Sequence, residues 1–324
     1  MIAISQIIKP VDSDLEAFNT LLKELSKSHV NIINVVINYI LKNKGKQLRP
    51  IICLLSSKLL SKPNELTITA ASLIEMIHVA TLVHDDIVDD SSLRRGWPSV
   101  KSVWKNKVSL LIGDYIFSKA LSSMIKLENF DALKVLSNTA NRLSEGELLQ
   151  MEHAKTKEMD ENIYIKMVSD KTASLFAASS EIGAITSGAN GEQREALKKY
   201  GENLGIAFQI KDDLFDVIGT QEGTGKPTSF DVKKNILTLP FIHFMSSLSA
   251  FEKAIYKTKL RFYSKKKEIK KIKNLIIKSG SLQYAEQVMQ RFSDEAIREL
   301  DIFEDSDAKK SLILLVKYNL ERYK

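Results

Sequence analysis

Apolar residues recur at the spacing of an α-helix along nearly the whole chain. Positions i, i+3, i+4 and i+7 are apolar in each long segment, and convincing strand-like alternation does not occur. Only 13 Gly and 6 Pro interrupt the 324 residues, which suits long helices better than short strands joined by turns. We therefore predict an all-α fold, with helical segments at 14–43, 48–61, 64–90, 109–127, 131–154, 162–186 and 193–218 and further helices from residue 251 onward.

The breaks between these segments are too short and too unbiased to act as domain linkers. The main ones lie at 96–98, 187–191 and 219–229. Residues 1–324 are therefore expected to form one helical domain with a few functional loops.

Cysteine content and apolar run length indicate the compartment. The lone cysteine, Cys53, excludes an internal disulfide and a cysteine-based zinc site, which favours a reducing compartment. Residues 1–18 lack the basic leader and continuous apolar core of a secretory signal. No uninterrupted apolar run approaches the ~18 residues that span a bilayer. We expect a cytoplasmic protein without a transmembrane segment.

The net charge is modestly basic. The chain has 47 Lys and Arg against 40 Asp and Glu, a net charge of +7. Much of the excess lies in the run SKKKEIKKIKNLIIK at 264–278, where isoleucines recur near helical spacing. This pattern favours a solvated helix face over a nucleic-acid site. An anionic partner such as a phosphate or a membrane surface is the alternative.

Carboxylates interrupt one of the most apolar stretches, VATLVHDDIVDD at 79–90. On a helix Asp85 and Asp89 share a face with Asp86 beside them, and these three residues form the first aspartate motif. Carboxylates grouped in apolar surroundings repel one another and resist leaving water. A cation is therefore needed to compensate them.

The same spacing returns in a second apolar helix. Asp212, Asp213 and Asp216 form the second aspartate motif. Carboxylate oxygens suit hard cations, and Mg²⁺ in particular prefers a few carboxylates together with substrate phosphates. Two such motifs facing each other predict a site for several Mg²⁺ ions with a diphosphate between them.

Anion-binding groups lie beside both motifs. The segment GKQLRP at 45–50 places two cations and a glycine before a predicted helix. Arginine binds phosphate oxygens in a bidentate manner, whereas lysine acts as a point charge. The candidates are Gly45, Lys46, Arg49, Arg94, Arg95, Lys171, Thr172 and Lys226.

These segments together resemble a known family. The segments GKQLRP, EMIHVATLVHDDIVDDSSLRRGWPS, GDYIF, EGELLQ, SDKTASL and FQIKDDLFDVIG occur in order between about residue 44 and residue 240. In this arrangement the chain resembles the trans-isoprenyl diphosphate synthases, the polyprenyl synthetases. The resemblance implies an isoprenoid-synthase-type bundle of long helices around a central cavity, a homodimer and about three Mg²⁺ ions.

The resemblance also implies roles for individual residues. Isopentenyl diphosphate and an allylic diphosphate, farnesyl or geranylgeranyl, would be joined into a long-chain all-trans polyprenyl diphosphate. Gln209 would lie near the reacting carbons, and Asp85, Asp86, Asp89, Lys171 and Asp212 would be the catalytic set. The metal ligands would be Asp85, Asp86, Asp89, Asp212 and Asp216, with Asp213 in support. The allylic diphosphate would be held by Arg94, Lys171, Thr172 and Lys226, and isopentenyl diphosphate by Gly45, Lys46, Arg49, His78 and Arg95.

One family feature is missing. Members commonly have a Gly-Lys pair before the Thr-Leu-Pro found here at 238–240, but this chain has Asn235-Ile236. Lys233 or Lys234 is the nearest replacement for that phosphate contact.

Product length is expected to depend on residues below the first aspartate motif. Ala80 and Thr81 lie about one helical turn, ~5.4 Å, before Asp85. Family members with short products usually carry a bulky aromatic residue there, so small side chains favour a product of heptaprenyl to nonaprenyl type. Phe117 and Met124 are candidates for the floor of the tail cavity. Transient membrane contact would then assist product release.

Three other functions fit parts of the sequence. His84 beside Asp85 is also typical of helical metal-dependent phosphohydrolases, although the other histidines show no complementary pattern. Terpene cyclases ionise similar substrates but need no second diphosphate site, so Arg95 and the segment at 45–50 favour the synthase. A regulatory subunit would be expected to have lost aspartates, and all six are present.

Overall fold

The computed structural model describes residues 2–156, 160–218, 238–262 and 266–322. The described chain is almost wholly helical, which confirms the all-α prediction. Its helices are α1 (Ile4–Ile8), α2 (Asp12–Leu25), α3 (Asn31–Lys42), α4 (Leu48–Lys58), α5 (Glu65–Val88), α6 (Val100–Ile125), α7 (Phe130–Thr156), α8 (Glu161–Val168), α9 (Ser174–Thr186), α10 (Gly191–Ile218), α11 (Leu239–Ser246), α12 (Ala250–Phe262), α13 (Lys266–Lys278), α14 (Ser281–Arg298) and α15 (Asp307–Glu321).

Helix α5 lies at the centre of the bundle and packs against α2, α4, α6 and α9. Its start is set by Asn64, whose side chain accepts a hydrogen bond from the backbone N–H of Thr67 at 2.9 Å. The Asn64 amide also donates to the carbonyl of Thr186 at the end of α9. These contacts hold the first turn of α5 against α9, so that the helix runs through the core towards its acidic end.

Helix α10 carries the second aspartate motif and packs along α9 and α14. Because α9 contacts both α5 and α10, it lies between the helices that carry the two motifs. Cys53 is fully buried in the core around α5. Burial raises the pKa of its thiol to about 12, which fits the packing role expected from its apolar neighbours.

Two predicted helical segments are interrupted, and a third helix begins earlier than predicted. Segment 14–43 divides into α2 and α3, with no helix at 27–30. Helix α6 begins at Val100, nine residues earlier than predicted, and Lys105 breaks it with a φ of 68°. The predicted helix at 162–186 contains a π-helical turn, Ser169–Ala173. Periodicity missed the π-helical turn because a local change in backbone winding leaves the apolar spacing largely intact.

The described part of the chain contains one short hairpin, β1 (Leu93–Arg94) and β2 (Trp97–Pro98). It joins α5 to α6. Arg95 at its turn has a φ of 54°, in the left-handed region that is uncommon for a non-glycine residue.

Two described helices, α5 and α6, are long and apolar enough to cross a membrane by length and hydropathy alone. We expected none, because the prediction counted uninterrupted apolar runs, whereas mean hydropathy tolerates scattered polar residues. In α5, 61% of the apolar window is buried inside the bundle. Such burial is typical of a core helix in a soluble protein.

Candidate active site

The first aspartate motif lies at the carboxyl end of α5. Asp86 is only 3% exposed and accepts two hydrogen bonds from Arg94, from Nε at 2.9 Å and from Nη2 at 2.6 Å. Asp85 is half-buried, and Asp89 caps the helix. The hairpin after α5 thus brings Arg94 back to the first aspartate motif at the end of that helix.

The negative charge of Asp85 is only partly compensated by nearby cations. Burial raises its pKa to about 6, opposed by the charge of Lys171 and reinforced by that of Glu147. Lys171 is itself ion-paired with Glu147 and donates to Oε1 of Gln150 at 2.6 Å. The structure therefore brings Lys171 and Arg94, both predicted to bind the allylic diphosphate, to the first motif.

The second aspartate motif divides into residues with different surroundings. Asp213 is 7% exposed, and both of its carboxylate oxygens are engaged. Tyr164 donates to one at 2.7 Å and Gln209 Nε2 to the other at 2.9 Å. Asp216 is exposed. This arrangement favours a supporting role for Asp213, with Asp212 and Asp216 better placed to receive a cation.

Asp212 receives a guanidinium group from a distant part of the chain. Arg322, which is 7% exposed, lies with Nη2 at 2.7 Å from Oδ1 of Asp212. The same guanidinium stacks on Phe208 at 3.9 Å and donates to the side chain of Asn319 at 2.8 Å. Arg322 thus compensates one metal-ligand candidate and fixes its orientation.

A second group of cations surrounds the middle of α5. Arg49 Nη1 lies 3.0 Å from Nε2 of His78, and its guanidinium stacks on Phe176 at 4.7 Å. Burial and the nearby arginines hold the pKa of His78 well below its usual value. The neutral imidazole therefore accepts a hydrogen bond from Arg49 and leaves the arginine charge available to an anion.

The close approach of the Arg95 side chain explains why residue 45 of the segment GKQLRP is a glycine. A Cβ built at Gly45 would lie 2.4 Å from Cζ of Arg95, closer than any side chain tolerates. Glycine therefore lets the Arg95 guanidinium lie directly on the loop before α4. Lys46 extends over the ring of Tyr318 at 5.2 Å. The predicted residues for isopentenyl diphosphate, Gly45, Lys46, Arg49, His78 and Arg95, thus lie around α4, α5 and the hairpin.

The π-helical turn links the two aspartate motifs. Lys171 interacts electrostatically with Asp85, whereas its neighbour Thr172 donates to Oε1 of Gln209 at 2.9 Å. Gly146 of α7 allows the turn to approach closely, since a Cβ there would lie 2.6 Å from the backbone nitrogen of Lys171. Arg49 similarly interacts with both Glu75 on α5 and Asp212 on α10.

The chain-length candidates lie in or against the core around α5. Ala80 and Met124 are buried there, and Phe117 packs against the same cluster. Thr81 is half-buried on the helix face of Asp85 and His78, and its hydroxyl donates to the carbonyl of His78.

A cavity of about 430 Å³ lies further along α5 and α6, lined in part by Leu66, Thr69, Ser123 and Lys126. The lining residue Ser123 directly precedes Met124 in the sequence of α6. Met124 itself is buried in the apolar core.

The donors fit hard divalent cations, because they are carboxylates whose burial is only partly compensated by arginines and lysine. Among residues 2–156, 160–218, 238–262 and 266–322, no three His, Cys, Asp or Glu side chains form a cluster able to hold a metal. Such open motifs suit metals that are completed by substrate phosphates. Lys226, Lys233, Lys234 and Asn235-Ile236 lie outside the described residues.

His84 has a local role. Its Nε2 lies 3.3 Å from the carbonyl oxygen of Leu110 and 3.4 Å from Asp114. These contacts join α5 to α6 and direct the imidazole away from a phosphohydrolase-like metal cluster.

A family model for polyprenyl synthetase matches residues 30–277. The chain belongs to the polyprenyl synthetase family. This polyprenyl synthetase is 31% identical to octaprenyl diphosphate synthase of Haemophilus influenzae, over 99% of the chain and 98% of the relative. It is 34% identical to geranylgeranyl diphosphate synthase of Saccharolobus solfataricus, over 94% and 95%.

Solved structures agree with this assignment. The polyprenyl synthase of Caulobacter crescentus, complexed with calcium and isoprenyl diphosphate, superposes with a TM-score of 0.92 at 30% identity, covering 99% of this chain and 98% of that one. The protein is therefore a trans-prenyltransferase with the isoprenoid synthase fold. Its relatives differ in product, since one is an octaprenyl and another a geranylgeranyl diphosphate synthase.

Sequence reasoning assigned no role to several residues that the site uses. Tyr164 holds Asp213, and Arg322 holds Asp212. Glu147 and Gln150 belong to the EGELLQ segment, which was a signal of family resemblance without an assigned function. Both hold Lys171.

Proposed function

We propose that this polyprenyl synthetase catalyses the head-to-tail (1′-4) condensation of isopentenyl diphosphate with farnesyl or geranylgeranyl diphosphate. The product is a long-chain all-trans polyprenyl diphosphate, octaprenyl-like, released with diphosphate. The observation that carries the proposal is the π-helical turn, because its consecutive residues interact with both aspartate motifs. Lys171 interacts electrostatically with Asp85 of the first motif, and Thr172 donates to Gln209, which in turn donates to Asp213 of the second.

The first step is ionisation of the allylic substrate. The C1–O bond breaks, and the diphosphate leaves with the electron pair. Lys171 and Arg94, each held by carboxylates of the site, stabilise the negative charge that develops on the departing oxygens. Asp85, Asp86, Asp89, Asp212 and Asp216, with Asp213 in support, would hold about three Mg²⁺ ions, which would supply Lewis-acid stabilisation of the same charge.

The second step joins the two substrates. Arg49, Arg95 and Lys46 bind the diphosphate of isopentenyl diphosphate, and neutral His78 orients Arg49. The double bond of isopentenyl diphosphate attacks C1 of the allylic cation, and a proton from C2 passes to the released diphosphate. Gln209 lies beside the reacting carbons, where Thr172 and Asp213 fix its amide.

The length of the product follows from the space below Asp85. Ala80 and Thr81 are small, and Met124 and Phe117 border the apolar region beneath them. This space favours a product longer than geranylgeranyl diphosphate.

We further propose that the chain acts as one domain, 1–324, in a homodimer. Several large apolar side chains on α6 and α7 are exposed, including Ile125 at 71% and Phe130 at 85%. A second copy of the chain would cover them, since large exposed apolar patches mark interaction surfaces.

The enzyme is proposed to work in the cytoplasm with transient membrane contact during release of its apolar product. Exposed Phe251 and Ile277 lie on lysine-rich α12 and α13, a combination that suits an anionic lipid surface. No nucleic-acid partner is proposed.

One assay tests the function. The purified protein is incubated with Mg²⁺, labelled isopentenyl diphosphate and either primer, and the extracted products are sized by chromatography. We expect a ladder of elongated polyprenyl diphosphates. Hydrolysis without elongation would indicate a phosphohydrolase, a cyclised hydrocarbon a terpene cyclase, and no turnover by folded protein a partner subunit.

A further inference from the structure

Glu75 is a buried acid in the middle of α5 that the mechanism above does not use. It is 5% exposed, and its neighbours Leu73, Ile74, Met76 and Ile77 are all fully buried. Its Oε2 has no hydrogen-bond partner among the described residues. An ionisable group in such a position is costly to retain, because burial penalises its charged form.

Two of the cations around Glu75, Arg49 and Arg95, belong to the proposed isopentenyl diphosphate site. Glu75 lies three residues before His78, on the same side of α5, and His78 is the partner of Arg49. Arg95 and Lys44 line the same small cavity as Glu75. The charges of Arg49, Arg95 and Lys44 all favour the carboxylate form of Glu75.

The interaction is reciprocal. For both Arg49 and Arg95, Glu75 is the foremost charge that favours the protonated guanidinium and opposes the effect of burial. Arg49 also keeps a buried Nε without a hydrogen-bond partner in the described chain. Two arginines brought together without an anion between them would repel each other.

We infer that Glu75 is a positioning residue for isopentenyl diphosphate. Its charge acts as an internal counter-ion to Arg49 and Arg95 and keeps both guanidinium groups in position to receive the diphosphate. The inference rests on the proposed function, since it assigns Glu75 to the isopentenyl half of that site.

Removal of this charge discriminates between two physical effects. If Glu75 acted only as a nearby negative charge, Glu75→Gln would strengthen binding of an anionic substrate and lower its KM. If Glu75 holds the arginines in position, the same change weakens binding, because the guanidinium groups lose their common anchor. The two effects have opposite signs.

The experiment measures steady-state kinetics of Glu75→Gln, Glu75→Asp and the wild type, with each substrate varied in turn. For Glu75→Gln we expect KM for isopentenyl diphosphate to rise about tenfold, the loss expected for one charge-assisted interaction. KM for the allylic diphosphate should change by less than about twofold. Glu75→Asp keeps the charge and should recover part of the loss.

The matched control is Glu181→Gln. Glu181 is also a buried glutamate, and it pairs with Arg194 at 2.9 Å outside the candidate site. It should leave both KM values unchanged. Circular dichroism and thermal denaturation identify variants that fail to fold, and Glu75→Asp then carries the test.

The outcomes separate the two proposals. Wild-type protein without condensation activity refutes the proposed function. An active wild type combined with an unchanged or lowered KM for isopentenyl diphosphate in Glu75→Gln refutes the role of Glu75 alone. Equal rises in both KM values would indicate general damage to the fold and would also overturn the inference.

Discussion

Thr81→Phe is expected to shorten the product, because the phenyl ring would block the path of the growing tail. Thr81 lies four residues before Asp85 on the same helix face, about 6 Å along the axis at 1.5 Å per residue. Its present side chain is small, half-buried and bonded to its own helix.

The expected size of the effect follows from the alignment of α5 and α6. His84 contacts Leu110, near the start of α6, whereas Thr69 shares a cavity with Ser123, near its end. The two helices therefore run antiparallel, and Met124 lies near the level of Thr69.

That level is sixteen residues from Asp85, or about 24 Å. Thr81→Phe reduces the depth by about 18 Å, and one extended isoprene unit of four carbon–carbon bonds spans roughly 5 Å. The product should lose at least three units.

The assay is chromatographic sizing of products formed from labelled isopentenyl diphosphate at saturating substrate. Ala80→Phe, one residue deeper, should also shorten the product but by less. Met76→Phe is the control, because Met76 is buried about 140° around α5 from Thr81 and outside the cavity lined by Glu75 and Arg95, and its overpacking costs roughly 1–3 kcal/mol. An active Thr81→Phe enzyme with the wild-type ladder would show that the tail does not follow this face of α5.

Three further predictions concern other parts of the site. Met124→Ala should lengthen the product by one or more units in the same assay, because it removes side-chain volume from the proposed floor of the tail path; an unchanged ladder would exclude Met124 as the floor. Arg322→Ala should lower the free energy of unfolding in urea by about 2 kcal/mol, because it breaks a buried ion pair. This value is below the usual cost of a fully buried pair, since Asp212 is partly exposed to solvent. The control, Arg298→Ala at an exposed position, should cost less than about 0.5 kcal/mol. The metal-free protein should lose stability between about pH 4 and pH 7, because burial raises the pKa of Asp213 to about 7, well above the ~3.9 of an unfolded chain. The stabilisation from the protonated Asp213 carboxyl is fully present below pH ~4 and is lost as the pH rises through 7. Urea titrations in the presence of a chelator should show the free energy of unfolding falling with pH, and Asp213→Asn should reduce this dependence.

The all-α fold and the two aspartate motifs could be predicted because both are local patterns. Asp85 and Asp89, or Asp212 and Asp216, need only a helix to share a face, and apolar periodicity identifies the helix. The start of α5 also follows from a nearby residue, the capping Asn64.

The surroundings of the motifs depend on distant parts of the chain and could not be predicted in this way. Arg322 is separated from Asp212 by 110 residues, and Tyr164 from Asp213 by 49. Gly45 and Arg95 were both candidates, but their contact appears only when the loop before α4 meets the hairpin. The predicted helical segment at 162–186 is confirmed, but its π-helical turn could not be predicted, because such a turn changes hydrogen bonding without removing apolar residues.

The π-helical turn also determines how this stretch of the chain tolerates changes in length. A π-turn holds one residue more than the α-helical turn that would replace it. Deletion of a single residue between Ser169 and Ala173 would restore regular winding with little rotation of α8 relative to α9, because about five residues of π winding turn the chain as far as about four of α winding, but it would remove the wide turn that displays Lys171 and Thr172. Lys171 and Thr172 would then lose their separate partners, although the composition of the segment would scarcely change. Insertions and deletions there should consequently be far less well tolerated than substitutions on the outer surface of α8.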